Sequence, residues 1–231
     1  MIEVCDAHGA LLSVNHQMRF MDQYGLPKAM LDNSEYGGCK SMTVVGGNIG
    51  MAMNALHYFE AFRFVMDEEL YEVTAWFDEN EISNPRGIQF KDCSGSIRAT
   101  TALGKRLYVE IGSDQGHGLQ VIYAGRNGLI SINELTGEMF SNVRQSPFRD
   151  LPTTRYGMPS DRSSVNIAAV EVVDSSAMVL KSLLMNDTRV TGEEGMMAVK
   201  ALIAAYTSYD NKSSTVRIDS ALDADRIFPW A

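Results

Sequence analysis

One histidine sits where it could move a proton. His57 lies in GGNIGMAMNALHYFEAFRFVM, residues 46–66, a glycine-rich entry followed by residues at helical spacing. An imidazole changes charge near neutrality and so serves as an acid or a base, but in so apolar a setting it is as readily a hydrogen-bonded core residue. Residues three and four apart share a helix face, which makes Asn54 the candidate to orient the ring. A second polar stretch, Asn15-His16-Gln17-Met18-Arg19-Phe20, offers Arg19, whose fork of donors suits a carboxylate or a hydroxyl-rich ligand. Arg19 can equally pair with an acid of the following connector, and His16 can be a plain surface residue. His117, in the polar turn Ser113-Asp114-Gln115-Gly116-His117-Gly118, marks a substrate-recognition loop or only a turn.

Other chemistries lack their residues. The four histidines are scattered, with no His-x-x-x-His, so no metal site is expected. There is no Gly-x-Ser-x-Gly for nucleophilic hydrolysis. Gly46-Gly47-Asn48-Ile49-Gly50 has the wrong spacing for a dinucleotide fingerprint. Cys5, Cys39 and Cys93 are odd in number and far apart, which indicates neither disulfides nor zinc and fits a reducing, cytoplasmic setting. A net charge of -9, with no basic cluster, argues against nucleic acid and anionic membranes as partners. No apolar run approaches the ~20 residues of a membrane span.

The elements around these residues read as α+β. Residues 1–8 look like the last turns of a helix closed by Gly9, and 10–14 like a buried strand of parallel character, so the chain is expected to begin inside a domain. A helical or irregular connector interrupted by Gly25 and Pro27 runs to Tyr36. A strand at 39–45 precedes the His57 helix, whose apolar stripe is Ala52, Ala55, Leu56, Phe59, Phe62 and Met66. Alternation predicts a half-buried strand at 71–77, then a turn-rich segment at 79–87. Short runs at 96–102, 107–111, 119–123, 129–133 and 138–143, joined by tight links, predict an antiparallel meander. The polar segment 145–164, with Arg155 among its arginines, is expected to be a lid or a subunit contact. Helices at 165–185 and 191–209 follow, the second opened by a Thr191/Glu194 capping box, and then a strand at 215–218. The sum is a mostly antiparallel sheet with helices on one face and the other face open.

Three stretches carry a likeness. AHGALLSVNHQMRFM, GGNIGMAMNALHYFEAFRF and TGEEGMMAVKALIAAYTSYDNKSSTVRI, in this order, resemble the second half of the glucose-fructose oxidoreductase / inositol dehydrogenase (Gfo/Idh/MocA) family. The resemblance implies an NAD(P)-dependent oxidoreductase acting on a sugar, cyclitol or related compound. Residues 1–36 would be a remnant of the nucleotide-binding domain with its connector, and 37–231 the substrate and dimerisation domain. It implies that His57 is the family's proton-exchanging histidine and that Asn15 and Gln17 line the nicotinamide side of the cleft. Arg19, His117 and Arg155 are then substrate candidates, and the open sheet face is the homo-oligomer contact. In the family an aspartate stands four residues before the histidine. Here that residue is Met53, so either Asn54 substitutes or the proton chemistry differs. The pyrophosphate cradle and the Glu-Lys-Pro lysine would lie before Met1, and the chain alone is expected neither to hold NAD(P) nor to turn over.

Overall fold

The computed structural model describes residues 1–84, 86–168, 171–187, 190–219, 222–223 and 226–228. A short helix α1 (Ile2–Ala7) ends at Gly9, which takes a positive φ of 62° as expected of a glycine after a helix. A single 3-10 turn (Gln17–Phe20) leads into α2 (Asp22–Asp32), which continues through Gly25 and Pro27. Next come β1 (Cys39–Gly46), α3 (Met51–Met66), β2 (Leu70–Ser83), β3 (Lys91–Thr101) and β4 (Arg106–Ile111). β5 (Gln120–Gly125), β6 (Gly128–Asn133) and β7 (Glu138–Arg144) precede the edge strand β8 (Ser160–Asn166). The chain closes with α4 (Val172–Leu184), α5 (Gly192–Asp210) and β9 (Val216–Arg217).

One nine-stranded sheet runs in the order β8-β7-β6-β5-β1-β4-β3-β2-β9. The meander is real but interrupted. β1 lies between β4 and β5, parallel to the first and antiparallel to the second, so those two strands do not pair as expected. Alternation along a strand cannot disclose which earlier strand will slip between two later ones.

The helices cover one face. Met42, Val44, Val73, Ala75, Ile97, Ala99, Leu107, Val109, Val121 and Tyr123 point into the core. Against them lie Ala52, Ala55, Phe59, Phe62 and Met66 of α3 and Ala198, Ala201, Leu202, Ala204 and Ala205 of α5. The alanines of α5 let it approach β2 closely enough for Ser208 Oγ to accept from the Ala75 amide at 3.0 Å. The Thr191/Glu194 capping box that opens α5 is formed in both directions. On the opposite face Trp76, Tyr108, Leu129 and Phe140 stand exposed, Trp76 at 51% and Phe140 at 49%.

Four expectations need correction. Residues 10–14 form no strand beyond one bridge among the described residues, Ser13 with Thr191, because the backbone alongside them is the short approach to α5. The expected turn at 79–87 is largely β2, which runs on to Ser83 past a bulge, so its polar residues occupy the paired strand rather than a loop. Part of the 145–164 segment is β8, held to β7 by backbone pairing although its side chains are exposed on both faces and show no apolar alternation. The helix expected from 165 begins at Val172 instead; residues 169 and 170 lie outside the described residues.

Candidate functional site

The His57 helix is fixed at its start by a strand far away in sequence. Asp92 of β3, only 4% exposed, accepts from the amides of Ala52 at 2.8 Å and Met53 at 3.0 Å, the orphan donors of the first turn of α3. Gly50 before it has φ 78°, a conformation that favours glycine, and a Cβ there would meet Asp92 Oδ2 at 2.6 Å. The Asn54 amide donates to the carbonyls of Ile49 and, at 2.8 Å, Gly50. Asn54 therefore closes the entry of its own helix, and the expected Asn54–His57 hydrogen bond is not formed. The turn bearing His117 docks on the same entry: the Asn48 amide donates to Gln115 O at 3.1 Å, and a Cβ on Gly47 would lie 2.4 Å from His117 O. The His117 ring itself is exposed and engaged within its turn, 2.7 Å from Gly118 O and 2.8 Å from Gln115 Oε1.

His57 is half-buried and faces the Asn15–Phe20 stretch. Its ring meets His16 edge-on, with centroids 5.5 Å apart and planes at 75°. His16 is no surface residue but 7% exposed. Nδ1 of each ring is buried without a partner, as are Gln17 Oε1 and Arg19 Nε. Burial first, and then the neighbouring His57 imidazole, push His16 down to about 4, with Glu60 opposing and Arg19 and Arg63 assisting. Burial likewise lowers His57. Both rings are thus neutral at neutral pH and able to accept a proton.

Arg19 is engaged in ion pairs. Its guanidinium is joined to Glu60, itself 2% exposed, and lies 3.5 Å from Glu194. Arg63 closes the group at 2.8 Å from Glu60 and 2.5 Å from Glu194. Two arginines and two carboxylates thereby tie the 3-10 turn to α3 and α5. The acid partners belong to helices rather than to the connector.

Of the remaining candidates, Asn15 is exposed and donates to Ser176 Oγ of α4 at 3.2 Å. Arg155 is exposed and lines a cleft of about 400 Å³ with Asn142, Arg144, Tyr156 and Arg162 at the β7–β8 edge, a region that includes neither histidine of the pair. No cluster of three or more metal-ligating side chains occurs among the described residues, and no helix among them is long and apolar enough to cross a membrane.

Sequence reasoning missed His16, Glu60 and Asp92. Glu60, a lone acid inside an apolar helix and three residues before Arg63, carried a signal, since a charge on a covered face needs a partner. Asp92 carried none, because nothing local links it to residue 52.

No protein-family model and no curated protein matches the chain. Solved structures do. The fold is similar to aldose-aldose oxidoreductase from Caulobacter crescentus in complex with glycerol, at TM-score 0.68 and 16% identity over 94% of this chain and 66% of that one. It is similar to scyllo-inositol dehydrogenase from Lactobacillus casei with bound NAD(H) and scyllo-inositol, at TM-score 0.63 and 13% identity over 94% and 67%. It is also similar to a super-repressor mutant of Gal80p from Saccharomyces cerevisiae, at TM-score 0.69 and 9% identity over 95% and 68%. At such identities the likeness shows the fold alone: an α+β unit with a mostly antiparallel open sheet, spanning about two thirds of the length of those chains.

Proposed function

We propose that this chain is the substrate-side and oligomerisation portion of an NAD(P)-dependent oxidoreductase acting on a sugar, a cyclitol or a related hydroxyl or carbonyl compound. In this reading residues 1–36 belong with a nucleotide-binding domain and its connector, and 37–231 form the substrate domain. One observation carries the reading. Of the eight buried polar side-chain atoms without a partner among the described residues, four belong to His16, Gln17, Arg19 and His57, which meet on one turn and the helix beside it. Buried polar groups are ordinarily satisfied, and such a concentration marks a place completed by a ligand.

The residues fit the groups proposed for that ligand. Gln17 Oε1, a buried acceptor, complements a carboxamide of the nicotinamide type, and the neutral His57 ring complements a substrate hydroxyl. The dinucleotide, when bound, supplies the acceptor or donor of the hydride. The chain's own part is to hold the hydroxyl against His57 and to take up or return its proton, with burial keeping the imidazole neutral beforehand. The glycine-rich entry at Gly46–Gly50 follows a strand and opens a helix, the setting of a phosphate cradle, yet the Asp92 carboxylate already occupies the amides that would receive the phosphate. In this reading a pyrophosphate is not held at this entry.

Two measurements test this. In the complete two-domain protein His57→Ala lowers turnover by ~10² or more, the usual effect of losing a positioned acid or base; turnover like that of the unmodified protein discards the assignment. For the 231-residue chain alone, calorimetry should register no NAD(H) binding. A second reading, a non-catalytic dimerisation or carbohydrate-binding module, is favoured by Met53 at the position of the family's aspartate and by the commitment of Asn54 to the helix entry. Carbohydrate binding without turnover in the complete protein would select it.

A further inference from the structure

The group that stands beside His57 is a second imidazole. His16 comes from the start of the 3-10 turn and His57 from the second turn of α3, and the rings touch edge to face. Among the described residues no carboxylate hydrogen-bonds either ring, and the Nδ1 atoms of both are buried and partnerless. The charged groups around the pair are Glu60 and Arg63 from α3, Arg19 from the 3-10 turn and Glu194 from α5, already joined to one another. From α4, packed on the same turn, the buried residues are Ser175, Val179 and Ser182, none of them charged. An imidazole that gains a proton here finds no free carboxylate. What it finds is the other ring.

We propose that His16 is the positioning residue of His57: the two imidazoles hold a single proton between them, His16 taking the orienting place that neither Met53 nor Asn54 fills. The inference rests on the oxidoreductase reading for its use but not for its existence. When a hydroxyl gives its proton to the bare nitrogen of His57, the other nitrogen, which already carries its hydrogen, becomes the stronger donor of a charged ring, and the neutral His16 ring beside it is the acceptor. The proton is conserved: the O–H bond of the substrate breaks, an N–H bond on His57 forms, and His16 stabilises the imidazolium without itself being charged. Two protons on the pair would set like charges side by side in a buried place, so the second is refused.

The test needs no turnover, so its failure and the failure of the functional reading are separate results. Imidazole titrations of the four histidines of the 231-residue chain are followed by NMR and assigned with single substitutions. In His16→Asn, and in His16→Phe, which keeps the edge contact without a nitrogen, the His57 midpoint should fall by roughly a pH unit, because His57 takes the first proton and loses the neutral ring that stabilises it. Circular dichroism establishes that each variant is folded. If neither folds, His57→Asn is read at His16, where an upward shift is expected because the first-protonated neighbour that refused it the second proton is gone. A midpoint that stays within about 0.2 units in the folded variants overturns the pairing. If the pairing stands while His16→Phe leaves the pH profile of turnover in the complete protein unchanged, the pair is a structural feature and its catalytic use is withdrawn.

Discussion

The Asp92 carboxylate occupies the space that a side chain on Gly50 would need. The two residues together set the start of the helix that carries His57, one by capping the Ala52 and Met53 amides and the other by leaving room for the cap. Asp92→Ala strands the buried Ala52 amide and the part-buried Met53 amide, and unfolding in urea should show a loss of about 2 kcal/mol. Gly50→Ala adds a strained backbone and a close contact, a loss of roughly 1–3 kcal/mol. Because part of that cost is the contact with Asp92, the double variant should lose less than the sum of the two. Strict additivity would mean the two residues do not meet in solution.

The Arg19–Glu60 pair should govern stability rather than affinity. Glu60→Ala leaves two arginines sharing Glu194 in a largely buried place, at a cost of about 3 kcal/mol. Arg19→Lys removes the fork and should lower the unfolding midpoint with no ligand present. An unaltered midpoint would return Arg19 to the list of ligand-binding residues.

His16 makes stability depend on acid. Its folded value near 4 lies below its ordinary 6.5. Above pH 6.5 the ring is neutral in both states; as pH falls towards 4 the unfolded chain binds the proton first, and stability falls by up to about 3 kcal/mol. His16→Asn removes that component, so the gap between variant and unmodified chain narrows between pH 7 and 4.5. A gap of constant size contradicts the assignment.

Glu134 should behave in the opposite sense. Its carboxylate accepts from the hydroxyls of Tyr24 and Tyr58 at 2.9 Å each, and burial raises it above the ordinary carboxylate range despite those bonds. The folded state then holds the proton more tightly. This stabilisation is present at low pH and lost as pH rises through the folded value. Glu134→Gln, uncharged throughout, should gain on the unmodified chain between pH 4 and 7.5 in urea unfolding. A gap that widens with pH would show that the tyrosine hydrogen bonds outweigh the burial.

The open sheet face, proposed as the contact between two copies, places Trp76, Tyr108, Leu129 and Phe140 in water when the chain is alone. Replacing central aromatics by aspartate at such contacts costs ~2 kcal/mol or more each. Sedimentation of Trp76→Asp with Phe140→Asp should show monomers where the unmodified chain forms dimers. A chain that is monomeric before substitution removes this face from consideration.

Periodicity made the His57 helix, the strands and the capping box of α5 legible, because an apolar stripe or an alternating run is a local record of which face will be covered. The edge strand β8 escaped for the same reason: Asp161, Arg162, Ser163 and Ser164 bury nothing and are held by backbone pairing that leaves no mark on side-chain pattern. In the site, the sequence supplied the types, an imidazole on an apolar helix and a polar turn ahead of it. It offered Arg19 both as ligand and as ion-pair partner, and only the tertiary structure brought Glu60 and Glu194 to it.

By itself, then, the order of residues determined the α+β class, the helix that carries His57 and the face that the helix turns to the sheet, since those follow from spacing along one segment. The tertiary structure alone decided that β1 enters between β4 and β5, that Asp92 closes the first turn of α3, and that the companion of His57 is His16 rather than Asn54. Each of these is a meeting of residues about forty or more positions apart. Such meetings depend on how covered faces are brought together in space, and no periodicity along the chain records them.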